Sequence, residues 1–362
     1  MPADLILQNT ALTPPLFSSQ LQTGFASTAL GFVTVFTDFS GGLALAKMSL
    51  SLLDIHNNRL LPDVYALAYG TVMMWSNPMQ SVLPHLLDAY RIAQKSGYVG
   101  TTGHCCAMFY SYRAFFTGSQ LSSLGKEVAL FMRKSERDKR DVMSLSFLPI
   151  SKGISYIGGS TSQHTNDFIG EEDLDHFVNN HEFAVCECFL VVKLLCDVVF
   201  RRFDALKSIA RNYIEHIDRR GNGVSQFVNI YRFFYGGLVS LHFYRESQDQ
   251  FWMDRAAHAI AKLETWTAES VWNFENKLYL EGESHYAFGE TDCAAAKYEL
   301  AIESSKKHRF VHEEAVACEQ AAAFHEEVGN KDLADELMRR ALKCYQTWGA
   351  EKKVDSLLEM YS

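Results

Sequence analysis

Residues Gly289 to Lys307 read GETDCAAAKYELAIESSKK, and residues Gly329 to Trp348 read GNKDLADELMRRALKCYQTW. The two share few identities, but they share a skeleton forty residues apart. Gly289 matches Gly329, Asp292 matches Asp332, Ala294 matches Ala334 and Ala301 matches Ala341. The segments that lead into the two glycines, NKLYLEGESHYAFG and EAVACEQAAAFHEEVG, carry helical periodicity. Each glycine therefore falls between two predicted helices, where a tight turn needs a residue that tolerates positive φ. The paired alanines are seven residues apart, on one helical face, where small side chains let antiparallel helices approach closely. The predicted unit is helix, tight turn, helix.

The same phase runs upstream. Ala261, in DRAAHAIAKLETW, lies forty residues before Ala301; Ala89 lies forty before Ala129, and Ala46 lies 43 before Ala89. The pattern is weakest between Ala129 and Ala261, where GGSTSQHTNDFIGEED (Gly158 to Asp173) reads as a long loop. These observations predict an all-α fold, a superhelical solenoid of antiparallel helical hairpins with a period of about 40, because a single hairpin cannot bury its apolar face alone. The predicted array covers residues 20–346, behind a lead-in segment 1–19 and ahead of a capping helix in 347–362.

Composition narrows the function classes. The 362 residues carry a net charge of -9, a poor balance for neutralising phosphates, so no nucleic-acid partner is expected. The eight cysteines show no disulfide-scaffold spacing, which fits a reduced, intracellular, cytoplasmic protein. The start, MPADLILQNT, has no basic segment before an apolar run, so no secretory signal is read there. The longest apolar runs, such as FLVVKLLCDVVF, carry charges and are short, so no membrane span and no membrane partner are expected.

The two C-terminal units resemble tetratricopeptide repeats. Gly282, Gly289, Ala294, Tyr298 and Ala301, and then Ala322, Gly329, Ala334, Met338 and Ala341, stand where that motif has a small residue in the first helix, a turn glycine, and small or aromatic residues in the second helix. The Trp, Leu and late Pro of the motif are replaced by Leu278, Glu281 and Lys306 in the first unit, and the period exceeds the usual 34. Longer repeats of this kind are similar to the helical arm that follows the nucleotide-binding module in large signalling ATPases and multi-sensor kinases; Asp63 to Leu121 has that cadence. The resemblance implies a scaffold or regulatory arm that binds a protein or peptide in a concave groove. It also implies, as a partner, an ATPase or kinase module of the same larger protein. Neither a GxxxxGK[ST] loop nor the kinase HRD and DFG set occurs in the chain, so no catalysis and no cofactor are expected. The chain opens in what reads as the middle of a helical region, which suggests either a free-standing arm or one piece of a longer protein.

His104, Cys105 and Cys106 in GHCCAMFY, and the CEC of Cys186 to Cys188, have metal-ligand chemistry, but neighbours on a helix point about 100° apart and neither run converges on one ion. The expectation is packed cysteines and no metal. MRKSERDKR (Met132 to Arg140) reads as a solvated helix end. The aromatic and basic stretches FYSYRAFF and YRFFYGGLVSLHFYRES supply the partner-binding candidates Arg113, Tyr231, Arg232, Tyr235, His242 and Arg245, since Arg and Tyr are common anchors of protein contacts. The competing expectation is an enzyme of the α/α-barrel kind with an acidic active site. An RNA-binding helical repeat is disfavoured by the acidic balance.

Overall fold

A computed structural model describes residues 15–35, 38–53, 60–96, 101–137, 141–159, 183–206, 211, 226–269 and 275–360. Residues 1–14 of the expected lead-in and residues 160–173 of the expected loop lie outside the described residues. Among the described residues every regular element is helical, with 15 α-helices and short 3₁₀ and π turns. The chain divides into two compact units, residues 1–113 with 269–272, and residues 114–268 with 273–362.

The first unit holds α1 (Pro15–Val35), α2 (Phe39–Ser51), α3 (Leu61–Leu67), α4 (Leu83–Lys95) and most of α5 (Thr101–Phe116). Asp38 starts α2, its carboxylate accepting from the Gly41 N–H at 2.8 Å, which satisfies an orphan donor of the first turn. Gly42 lets α2 lie against α1: a Cβ there would stand 2.5 Å from Val33 Cγ2 and 3.0 Å from the Ala29 carbonyl. A π turn, Ala68–Val72, follows α3 and disturbs the regular helix ladder. Arg113 enters at this point. It is fully buried, it donates to the Gly70 carbonyl, and it lies 5.4 Å over the Phe109 ring.

The second unit begins at the end of α5 and runs through α6 (Leu121–Arg137), α7 (Asp141–Ile157), α8 (Phe183–Val199), α9 (Gln226–Ser247) and α10 (Gln250–Glu269). It ends in α11 (Glu275–Ala287), α12 (Thr291–His308), α13 (Val311–Glu327), α14 (Lys331–Trp348) and α15 (Glu351–Met360). From Phe189 to Val199 every residue of α8 is buried, as befits a helix that is apolar on all sides. The charges it carries there, Lys193 and Asp197, pair with each other at 2.9 Å.

The turns of the last five helices share one hydrogen-bond pattern. At Gly289 the N–H donates to the Tyr286 carbonyl, and the next N–H, of Glu290, reaches back to His285 at 2.9 Å. Arg309, Gly329 and Gly349 repeat both bonds, from Phe310 to Ser305, Asn330 to His325 and Ala350 to Tyr345. All four residues have positive φ. This pair of bonds, from the sixth residue of the motif to the first and from the fifth to the second, is the Schellman arrangement. It recurs every twenty residues, so the two predicted glycine turns are present, and Arg309 and Gly349 are two more that lay outside the forty-residue comparison.

Ala294, Ala301, Ala334 and Ala341 are all buried, as are Ala46 and Ala89. Gly282 packs against Tyr298, whose ring lies 3.2 Å from where a Cβ would stand. The extrapolated positions Ala129 and Ala261 are exposed, a correction to the phase expected for them. On α6 the buried seam is Leu121, Leu124, Val128, Phe131 and Ser135, so Ala129 sits one residue off it. On α10 the buried positions are Trp252, Ala256, Ala259 and Leu263, which turns Ala261 outward.

Candidate functional site

The candidate site is a polar cleft in the second unit, lined by Arg201, His242, Arg245, Tyr279, Glu283 and Glu319 among others, with about 350 Å³ of space partly open to solvent. α9 supplies His242 and Arg245, α11 supplies Glu283, and α13 supplies Glu319. Arg201 comes from the turn after α8, where it has φ +54° and donates to Gln320 at 3.0 Å.

Glu283 and Glu319 are buried, so each needs compensation for the water it loses. Glu283 accepts from the Tyr298 hydroxyl at 2.7 Å and pairs with Arg245 at 3.3 Å. Glu319 accepts from the Tyr345 hydroxyl at 2.7 Å and from Lys353 at 2.6 Å. Burial, and then the neighbouring Glu283, hold the Tyr298 phenol well above its usual range. Burial, followed by Glu319, does the same for Tyr345. Both phenols are therefore protonated donors at neutral pH. Desolvation lowers the Lys353 ammonium in spite of the attraction of Glu319.

At the rim, His242 stacks on Phe203 with ring centres 3.9 Å apart and meets Glu246 at 3.1 Å. Burial is the main cause that holds its imidazole below the usual histidine range, Arg245 and Arg201 add to it, and Glu246 opposes it. The Arg245 guanidinium lies 4.4 Å over the Tyr286 ring. The cleft thus presents two guanidinium groups and a neutral imidazole at its edge, above carboxylates that are already paired.

The six sequence candidates part company here. His242 and Arg245 line this cleft, and Arg232 lines a second one formed by α8, α9 and α10. Arg113, Tyr231 and Tyr235 are interior, which corrects the expectation that they face an exposed groove. Arg113 serves the π turn. The Tyr231 hydroxyl donates to the Phe116 carbonyl at 2.8 Å, which satisfies an acceptor left over at the end of α5, and its ring stacks on Phe116 at 4.3 Å. Tyr235 is fully enclosed, and burial raises its phenol far above the usual range.

The cysteine clusters behave as packing residues. Cys106 is buried with its thiol against the Pro62 carbonyl at 3.5 Å, and burial pushes the Cys105 and Cys106 thiols up. Among the described residues, the one group with convergent metal-ligand chemistry is His285, Glu290 and Cys293 at the Gly289 turn, where His285 Nδ1 stands 2.5 Å from Glu290.

Glu283, Glu319 and Lys353 escaped the sequence reading. The available signal was a lone acid inside an apolar run, as in VACEQAAAF around Glu319. Among the described residues no helix is long and apolar enough to cross a membrane. No protein-family model and no curated protein matches the chain.

Proposed function

We propose that the chain is a non-catalytic scaffold of tetratricopeptide-like helical hairpins, a solenoid with a period of about 40, that binds a protein or peptide segment at the rim of the polar cleft. The observation that carries this reading is the set of left-handed turns at 289, 309, 329 and 349, which bounds three successive helices of 18, 17 and 18 residues. Such arrays bury a shared seam and leave concave faces for extended partners. Arg201, His242 and Arg245 are the partner contacts. A cationic rim over satisfied carboxylates suits an acidic segment. In an intracellular signalling context this makes the chain a regulatory arm, acting on an ATPase or kinase module of the same larger protein.

The test is selection of peptides from a random displayed library on the full chain, followed by titration of the enriched peptide. Arg201→Gly removes one of the two rim cations and relieves the left-handed turn, so the fold tolerates it. A family of acidic peptides that binds at least tenfold more weakly to the variant supports the reading, on the scale of one lost charge-assisted bond. Failure to enrich any family, or equal binding by both proteins, overturns it.

A second reading, an α/α-barrel-type enzyme with an acidic centre, is favoured by one observation: Glu283 and Glu319 line the same cleft. Each already holds a tyrosine and a cation, so both carboxyl groups are engaged within the fold.

A further inference from the structure

The second cleft is built differently from the first. It is a shallow cleft with about 440 Å³ of space counted out into open solvent, between Leu190 and Leu194 of α8, Arg232, Phe233 and Gly236 of α9, and Arg255 and His258 of α10. Three features coincide there. Gly236 sits in mid-helix, where glycine is unfavourable by roughly 1 kcal/mol relative to alanine. Its neighbour Gly237 has a packing reason, since a Cβ there would stand 3.0 Å from Leu280. Gly236 has none: a Cβ there meets nothing within 4 Å, so its missing side chain leaves open space along the cleft wall.

The second feature is Arg232. Its Nη1 is buried and has no hydrogen-bond partner, an arrangement that costs free energy unless something fills it. Burial lowers the guanidinium from its usual range, and Glu187 opposes that shift. The third feature is the charge of the lining. Arg232 and Arg255 are its charged residues, beside His258, and Lys262 acts on the same imidazole. Burial first, and then Lys262, Arg255 and Arg232, hold His258 below the usual histidine range. The remaining walls are apolar apart from Ser240, whose hydroxyl donates to the Gly236 carbonyl at 2.7 Å, and Phe233 lies edge-on to Trp266 with ring centres 5.6 Å apart.

We propose that this cleft binds a small amphipathic anion, a carboxylate carried on an apolar group. The carboxylate meets the Arg232 guanidinium, and the apolar part lies over Gly236 against Leu190, Leu194 and Phe233. Carboxylate supplies the acceptor that Nη1 lacks, and guanidinium is the side chain best shaped to receive it. The apolar walls give the ligand most of its buried surface, as small-molecule sites do, with few polar groups setting orientation. The assignment is independent of partner binding at the first cleft, since it uses different residues.

The experiment is isothermal titration of the full chain with octanoate, with n-octanol as the uncharged control. Octanoate is expected to bind saturably and at least tenfold tighter than octanol. Arg232→Gln is expected to bring octanoate down to the level of octanol, and Gly236→Leu, which fills the cleft with a good helix former, to abolish both. Quenching of Trp266, absent in Trp266→Phe, places the ligand beside Phe233. No saturable octanoate binding up to roughly millimolar concentration, where affinity is only about −4 kcal/mol, overturns the proposal. So does equal binding of octanoate and octanol, or full octanoate affinity in Arg232→Gln. The comparison of octanoate with octanol uses the unsubstituted chain, so it stands even if Arg232→Gln fails to fold.

Discussion

Single residues set the turns of the C-terminal helices. Gly289 and Gly329 have positive φ, and a Cβ at either meets nothing within 4 Å. Replacement by alanine therefore tests backbone conformation alone. Gly289→Ala and Gly329→Ala are each expected to cost about 1 kcal/mol, read as a lower urea midpoint with unchanged slope. Arg309 holds the same conformation with φ +63° and bears that cost now. Arg309→Gly should raise the midpoint by up to about 1 kcal/mol. The glycine turns were legible in the sequence because glycine is the default left-handed residue. Arg309 was not, because nothing in an arginine announces positive φ.

His312 is the other residue with a distinct signature. It is buried under Gly118, whose Cβ would stand 2.8 Å from Nδ1, and against Trp348 at 5.3 Å between ring centres. Glu313 lies 3.8 Å from Nε2. Burial pushes its imidazole down to about 3, so the folded chain holds it neutral while the unfolded chain takes up a proton below its ordinary value. The unfolded state then binds more protons, and stability falls as pH drops from 6.5 toward 3, by as much as roughly 1.4 kcal/mol per pH unit from this group. Denaturant melts between pH 4 and 7 should show a slope that His312→Leu flattens. An equal slope in both proteins would assign the acid sensitivity to carboxylates.

Paired charges bind the helices together. Arg340 of α14 reaches Glu314 of α13 at 2.8 Å and Glu303 of α12 at 3.0 Å, so one guanidinium ties three helices. Lys353 of α15 meets Glu319 of α13, both nearly dry. Removing one partner of such a pair strands the other. Glu319→Leu is expected to cost about 3–5 kcal/mol, and Glu319→Leu with Lys353→Met to regain most of it. A double variant as unstable as the single one would place the loss in packing around Tyr345. The sequence concealed these pairs for a physical reason: an isolated glutamate in a helix is most often solvated, and burial depends on tertiary neighbours. Small residues divided the same way. Alanine is the best helix former on any face, so the forty-residue phase identified buried alanines where hairpins cross, at 294, 301, 334 and 341, and misplaced Ala129 and Ala261, which sit beside the buried seams of α6 and α10.

At the scale of the whole molecule, helix content was plain from periodicity, while the division into two units was not. The alanine phase runs through both units and masks the boundary within α5. Of the six residues chosen for partner binding, Arg232, His242 and Arg245 line clefts. The three that went inside were equally aromatic or basic in sequence. The most direct measurement of the hairpin register is thermal melting of four tryptophan variants. Ala301→Trp and Ala341→Trp overfill crossings that are buried and should lose about 1–3 kcal/mol or more. Ala129→Trp and Ala261→Trp stand on exposed faces and should lose no more than about 0.5 kcal/mol. Equal losses in all four, or an unchanged melt for Ala301→Trp and Ala341→Trp, would contradict the register.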